Sequence, residues 1–230
     1  LTLLSFTSRT LTANAVLKLL GVRPLAEHFG ISEDDVSLIE KWLMNAHIIW
    51  ALDEQEAEQG ICPDGAPHSE YYRNLSIPWT FTRGLERLTM GYMTGELPDP
   101  VRPDLYQDIE GDDAEVLGRF AVFVEALRRL RQDFIPQLIK EGLPAGAWQA
   151  ELNAHLFEEF FELDGEEVRR PLAQIHALLS ELNNLVNVLK SAPRITLPVF
   201  HAMLSSRLQD PRTGGNYRNV YNTYSLARNL

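Results

Sequence analysis

The stretch "VLGRFAVFVEALRRLRQDFIPQL", Val116 to Leu138, decides the fold class. Val116, Phe120, Phe123, Leu127, Leu130, Phe134 and Leu138 recur at helical spacing and form one apolar stripe. Gly142-Leu143-Pro144 ends that helix. The chain reads the same way on both sides. Upstream, Thr10 to Leu20 and Pro24 to Phe29 are short helices stopped by Gly21 and Gly30. Ser32 with Glu33-Asp34-Asp35 supplies a capping hydroxyl and first-turn acids for a helix through Val36, Ile39, Leu43 and Ala46 that frays near His47. Residues 53–78 and 96–111, rich in Gly and Pro, read as loops around a helix from Trp79 to Met93.

Downstream, Ala147 to Leu163 is a helix rich in Phe and Glu. Leu172, Ile175, Leu179, Leu182, Val186 and Leu189 continue at heptad-like spacing, and Leu197 to Leu208 is a final short helix. No alternating strand pattern of useful length, repeat or low-complexity tract interrupts this order. The expected fold is all-α: a helical domain over residues 1–209 and a tail or linker over 210–230.

The 230 residues suffice for a sizeable core, and 45% hydrophobic and 23% charged residues are ordinary for a soluble domain. No apolar run reaches membrane-spanning length, so no membrane partner is expected. "LTLLSF" lacks a basic leader region, and the missing initial Met predicts a piece of something longer. One cysteine, Cys62, suits a reducing cytoplasm. A net charge of −11 argues against coating nucleic acid, which is gripped through Lys and Arg.

"HIIWALDEQE", His47 to Glu56, has the outline of the metal-holding strand of a nucleotide-driven motor, with Asp53 and Glu54 as its acids. A motor also needs a glycine-rich phosphate loop carrying a lysine. None of Lys18, Lys41, Lys140 and Lys190 follows a glycine, so Asp53-Glu54 is expected to be a solvated acidic loop. No acid stands two residues before any lysine, which removes a PD-(D/E)xK nuclease core. No GxSxG elbow exists, and Cys62 has no evident activating neighbour. His155 and Glu158 lie one helical turn apart, the only hint of a metal-dependent hydrolase. No HExxH pattern or acid three residues before a histidine supports it. His155 is expected on a helix surface and His176 at the edge of an apolar face. No catalytic residue, metal or cofactor is assigned.

Two cationic clusters are candidate nucleic-acid contacts. "LRRLRQDF" sets Arg128 and Arg129 off the apolar stripe and Arg131 near its border; pairing with acids such as Glu125 is the competing use. The tail sets Arg212, Arg218 and Arg228 beside Tyr217, Tyr221 and Tyr224, a mixture suited to single strands. Arg128, Arg129, Arg131, Arg212, Tyr217 and Arg218 are the candidate contacts.

Three blocks in order resemble the RecC family, the gamma subunit of exodeoxyribonuclease V. "LKLLGVRPLAEHFGISEDDVSLIEKWLMNAHIIWALD" is similar to a family segment at Leu19, Leu20, Phe29, Gly30, Ile31, Trp42, Ile49, Trp50 and Asp53. Ala51 stands where the family has glycine. "WTFTRGLERLTMGYM" matches at Trp79, Phe81, Gly84, Leu85, Arg87, Leu88, Gly91, Tyr92 and Met93. "LYQDIEGDDAEVLGRFAVF" matches at Tyr106, Ile109, Glu110, Gly111, Ala114, Leu117, Gly118 and Arg119. The likeness weakens after Leu208.

The resemblance implies a multi-helix domain like the 2B-type insertion of superfamily 1 helicases, in a subunit without working ATPase motifs. It implies RecB-like and RecD-like partners, and DNA handled within that complex during double-strand break repair, with Chi scanned by the whole subunit. Arg87 and Arg119 are expected to hold carboxylates, Glu110 among them, rather than DNA. The alternative is a stand-alone helical protein–protein interaction domain with acidic faces and a tyrosine tail.

Overall fold

The computed structural model describes Leu3 and residues 10–61, 77–95, 105–189 and 194–209. The described residues are overwhelmingly helical, so the all-α expectation holds. Helix α1 (Ala13–Leu20) starts after Thr12, whose hydroxyl accepts from the Ala15 amide at 3.2 Å. The expected start at Thr10 is too early, because Leu11 and Ala13 bond instead to residues 49–51: Ala51 N donates to Leu11 O and Ala13 N to Ile49 O. Helix α2 (Arg23–His28) has Pro24 in its first turn, and Gly30 after it takes φ +67°. Helix α3 (Glu33–Asn45) opens on a reciprocal capping box between Ser32 and Asp35.

After α3 the backbone turns through His47 at φ 53°, runs on through Ile48, Ile49 and Trp50, and turns again at Ala51, φ 59°. This short run lies between two neighbours. One side bonds residues 11–13; on the other, Ile49 N donates to Trp79 O, and Phe81 N and Thr82 N donate to Ala51 O and Leu52 O. Helix α4 (Glu54–Ile61) follows. The expected loop from residue 53 is corrected here: Asp53 caps a helix, accepting from the Glu56 amide at 2.9 Å.

Helix α5 (Phe81–Thr94) is capped by the fully buried Thr80 and packs through Phe81, Gly84, Leu88 and Gly91. A Cβ on Gly84 would collide with the Ile48 side chain, and one on Gly91 with the Tyr106 backbone. These two glycines therefore allow the 48–53 run and the 105–110 segment to sit directly on the helix.

The core is built around helix α6 (Asp113–Arg128), which buries Val116, Leu117, Phe120, Phe123, Val124 and Leu127. The helix runs on past Leu138 as expected, but not as regular α-helix throughout. A wider π-turn, Arg129–Phe134, intervenes before α7 (Ile135–Lys140). Pro136 explains the interruption, since its ring lacks an amide donor and crowds the carbonyl four residues back. Leu130, Phe134 and Leu138 nevertheless stay buried, so the stripe survives the break.

Residues Leu143–Pro144 (β1) and Arg194–Ile195 (β2) form a two-residue antiparallel pair that the helical reading lacked. Helix α8 (Trp148–Leu152), a second π-turn (Asn153–Phe157) and helix α9 (Glu158–Phe160) follow. Helix α10 (Glu166–Leu189) begins before Leu172, and α11 (Leu197–Gln209) ends the described chain. Trp148 and Phe200 stack with centroids 3.9 Å apart, joining α8 to α11. Phe29 meets Phe123 and Phe160 edge-on, joining the turn after α2 to α6 and α9. Among the described residues no helix is long and apolar enough to cross a membrane.

Candidate functional site

Asp53 of the motor-like stretch, joined by Glu56, meets the "LRRLRQDF" cations in space although they are far apart in sequence. Asp53 Oδ2 accepts from Arg128 Nη1 at 2.8 Å and from Gln132 Nε2 at 2.6 Å. Glu56 Oε1 accepts from Arg131 Nη2 at 2.6 Å and from the Leu11 amide at 2.9 Å, while Oε2 takes the Leu52 amide at 2.9 Å. Arg128 also donates to Thr82 Oγ1 at 2.8 Å and Glu125 Oε2 at 3.0 Å. Thr82 Oγ1 donates in turn to Leu52 O.

Local structure places each member. The α4 N-terminus orients Asp53 and Glu56, and its dipole favours their charge. Arg128 leaves the last turn of α6, while Arg131 and Gln132 come from the π-turn. All four carboxylate oxygens of Asp53 and Glu56 accept hydrogen bonds from this chain, so the cluster acts as a clamp. It ties the N-terminal segment, the 48–53 run, α4, α5 and the α6–α7 junction together. This pairing corrects the expected solvated acidic loop for Asp53, whereas Glu54 is exposed as expected. Thr82, Glu56 and Gln132 were not marked by sequence reasoning; the available signal was Asp53 followed three residues later by Glu56, a capping-box spacing.

Arg129 pairs with Glu159 and stays half exposed. Arg212, Tyr217 and Arg218 lie outside the described residues. Arg87 donates through Nε and Nη2 to Ala46 O, at 3.0 Å from Nε, and so caps the C-terminus of α3. Arg119 approaches Asp35 at 3.7 Å and Glu115 at 3.8 Å, in place of the expected Glu110. His155 stacks on Phe134 at 4.5 Å and approaches Glu151, not Glu158, at 3.5 Å. His176 Nε2 contacts Asn153 Oδ1 at 2.9 Å. Among the described residues no three His, Cys, Asp or Glu side chains converge to hold a metal ion.

Comparison with known proteins adds the family. The family described as the RecBCD enzyme subunit RecC fourth domain matches residues 1–212. A RecBCD enzyme subunit RecC of Mycolicibacterium smegmatis is 28% identical over 218 residues, covering 94% of this chain and 18% of the relative. The RecC subunit of Haemophilus influenzae is 24% identical over 216 residues, 91% of this chain and 17% of that protein. That of Escherichia coli is 26% identical over 146 residues, 63% of this chain and 12% of that protein. The chain thus spans less than a fifth of the curated relatives it matches. With the match running from the first residue through all the described helices, this chain belongs to the RecC fourth-domain family.

Proposed function

We propose that this chain is a non-catalytic structural and DNA-handling domain of a RecC-type subunit. It works inside a RecBCD-type helicase–nuclease, an ATP-dependent exodeoxyribonuclease V that prepares double-strand breaks for homologous recombination in the cytoplasm. RecB-type and RecD-type subunits are its partners. Strand separation and Chi scanning belong to the whole subunit, within which this domain takes the place of a 2B-type insertion.

The observation that carries this reading is the family match over residues 1–212. The clamp supports the non-catalytic part, because Asp53 and Glu56 are engaged by Arg128, Arg131, Gln132 and backbone amides. Direct contact with DNA falls to Arg129, the most exposed of its cluster, and to Arg212, Tyr217 and Arg218. Arg128 and Arg131 face inward to carboxylates, and their contribution is to shape rather than to phosphate binding.

The test uses the full-length subunit reconstituted with its partners. Glu54→Gln is expected to leave ATP hydrolysis and duplex unwinding at wild-type rates, and residues 1–230 alone are expected to hydrolyse no ATP. Turnover by the chain alone that disappears with Glu54→Gln overturns the non-catalytic assignment. An assembly that forms and unwinds normally with residues 1–209 replaced by a linker overturns the structural one.

A further inference from the structure

Helix α6 carries two seams. The inner one, through Val116, Phe120, Phe123 and Leu127, is core. The outer one runs through Glu115, Gly118, Val122 and Glu125, all exposed, at the three-and-four spacing of a helix–helix contact. Gly118 is the informative member. A glycine inside a helix weakens it relative to alanine, so it needs a reason. Gly84 and Gly91 have one, since their own chain occupies the space of a Cβ. A Cβ on Gly118 would meet nothing within 4 Å, and the residue sits in ordinary right-handed helix. No described residue of this domain uses the space that Gly118 leaves.

That space is the floor of an open groove of about 680 Å³ whose lining includes Glu115, Gly118, Arg119, Val122, Glu158 and Glu159. Val122 is 58% exposed on this floor. The walls carry three carboxylates against one guanidinium. Arg119 is already turned to Asp35 and Glu115, and Glu159 is held by Arg129. Glu158 has no polar partner among the described residues.

We infer that this groove docks one helix of a partner subunit, with small apolar residues over Gly118 and Val122 and a lysine or arginine reaching Glu158. The inference rests on the proposed place of the chain in a multi-subunit assembly. Charge selects the occupant: a cationic helix complements these walls, whereas the phosphates of DNA would be repelled by them. The missing Cβ lets a helix backbone approach α6 closely, as Gly84 and Gly91 let this chain's own backbone approach α5.

The test places a photo-crosslinking benzoylphenylalanine at Val122 of the full-length subunit, assembled with its partners, and identifies the crosslinked peptide by mass spectrometry. The expected product joins Val122 to a helical segment of another subunit that carries Lys or Arg. A crosslink to the same subunit, to a second copy or to DNA overturns the inference, as does the lack of any crosslink. In parallel, Gly118→Leu and Glu158→Lys are each expected to weaken association with the partners about tenfold. The melting temperature of the Gly118→Leu domain should not fall, which separates lost docking from lost folding. Association that depends on residues 1–209 but ignores both substitutions sinks the groove alone. Association that survives removal of residues 1–209 sinks the structural reading with it.

Discussion

Arg131 reaches Glu56 Oε1 across 2.6 Å, with only 10% and 14% of the two side chains exposed. The same carboxylate takes the Leu11 and Leu52 amides, so one side chain holds three segments that are distant in sequence. Removing it takes the carboxylate away from a largely buried guanidinium and from two backbone donors. Glu56→Ala is therefore expected to cost about 3 kcal/mol in urea unfolding, near the lower bound for breaking a buried pair. Asp53→Ala, whose partner Arg128 is more exposed at 25%, should cost less. Equal, small losses for both would show that the clamp is peripheral to stability.

The stripe from Val116 to Leu138 announced a helical core because apolar spacing survives local changes of helix type. The π-turn was hidden for the same reason, although Pro136 was its visible cause. The clamp was not legible as a unit. Asp53 and Arg128 were each singled out, but nothing local says that they meet, since their pairing depends on how α4 docks at the α6–α7 junction. The β1–β2 pair, two residues a side, is too short to carry an alternation.

Ala51 proved to be a strained position. Its φ is 59° and it is fully buried. The left-handed conformation costs a non-glycine residue about 1–2 kcal/mol. Losing the buried methyl costs about 0.8 kcal/mol. The difference favours glycine, so Ala51→Gly should stabilise the chain by up to about 1 kcal/mol in thermal unfolding. Destabilisation beyond the methyl term would mean that the backbone there is not left-handed.

Three helical glycines should respond with different signs. Gly91→Ala drives a methyl into the Tyr106 backbone and is expected to cost about 2 kcal/mol or more. Gly84→Ala meets the Ile48 side chain, which can move, and should cost less. Gly118→Ala meets nothing and should raise the stability of the domain by up to about 1 kcal/mol. Melting temperatures of the three single variants check the order, and a loss at Gly118 would place an own-chain neighbour over it.

Lys41 and Asp108 tie the 105–110 segment to α3 at 3.0 Å. The hydrogen bond from Lys41, then that from Tyr106, holds the Asp108 carboxyl below the ordinary carboxylate range. Lys41 is raised, chiefly by its hydrogen bond to Asp108. A depressed acid contributes stability above its unfolded pKa and loses it as pH falls through the folded value. A raised lysine contributes below its unfolded pKa and loses it as pH rises through the folded value. The tie is thus expected to hold across the neutral range and to loosen only in strong acid or strong base. Following Asp108 by carbon-detected NMR checks this: Lys41→Ala should move its titration upward, and an unmoved midpoint would count against the bridge.

The use of cations inside the domain limits what it can offer DNA. Arg23, Lys41, Arg83, Arg119, Arg128, Arg129 and Arg131 each face a carboxylate of the same chain. Arg87 and Arg194 donate to backbone carbonyls. Single-stranded DNA binding by the full chain should accordingly be weak and shallow in its salt dependence. With contacts from Arg129, Arg212 and Arg218 alone, the slope of log affinity against log salt should be no steeper than about −2. Arg129→Ala or Arg212→Ala should flatten it by about 0.7 each. Arg131→Ala should leave the slope unchanged while lowering folding stability, because that guanidinium faces Glu56. A slope several units steeper, or one that responds to Arg131→Ala at a temperature where the variant is folded, would put phosphate on the clamp itself.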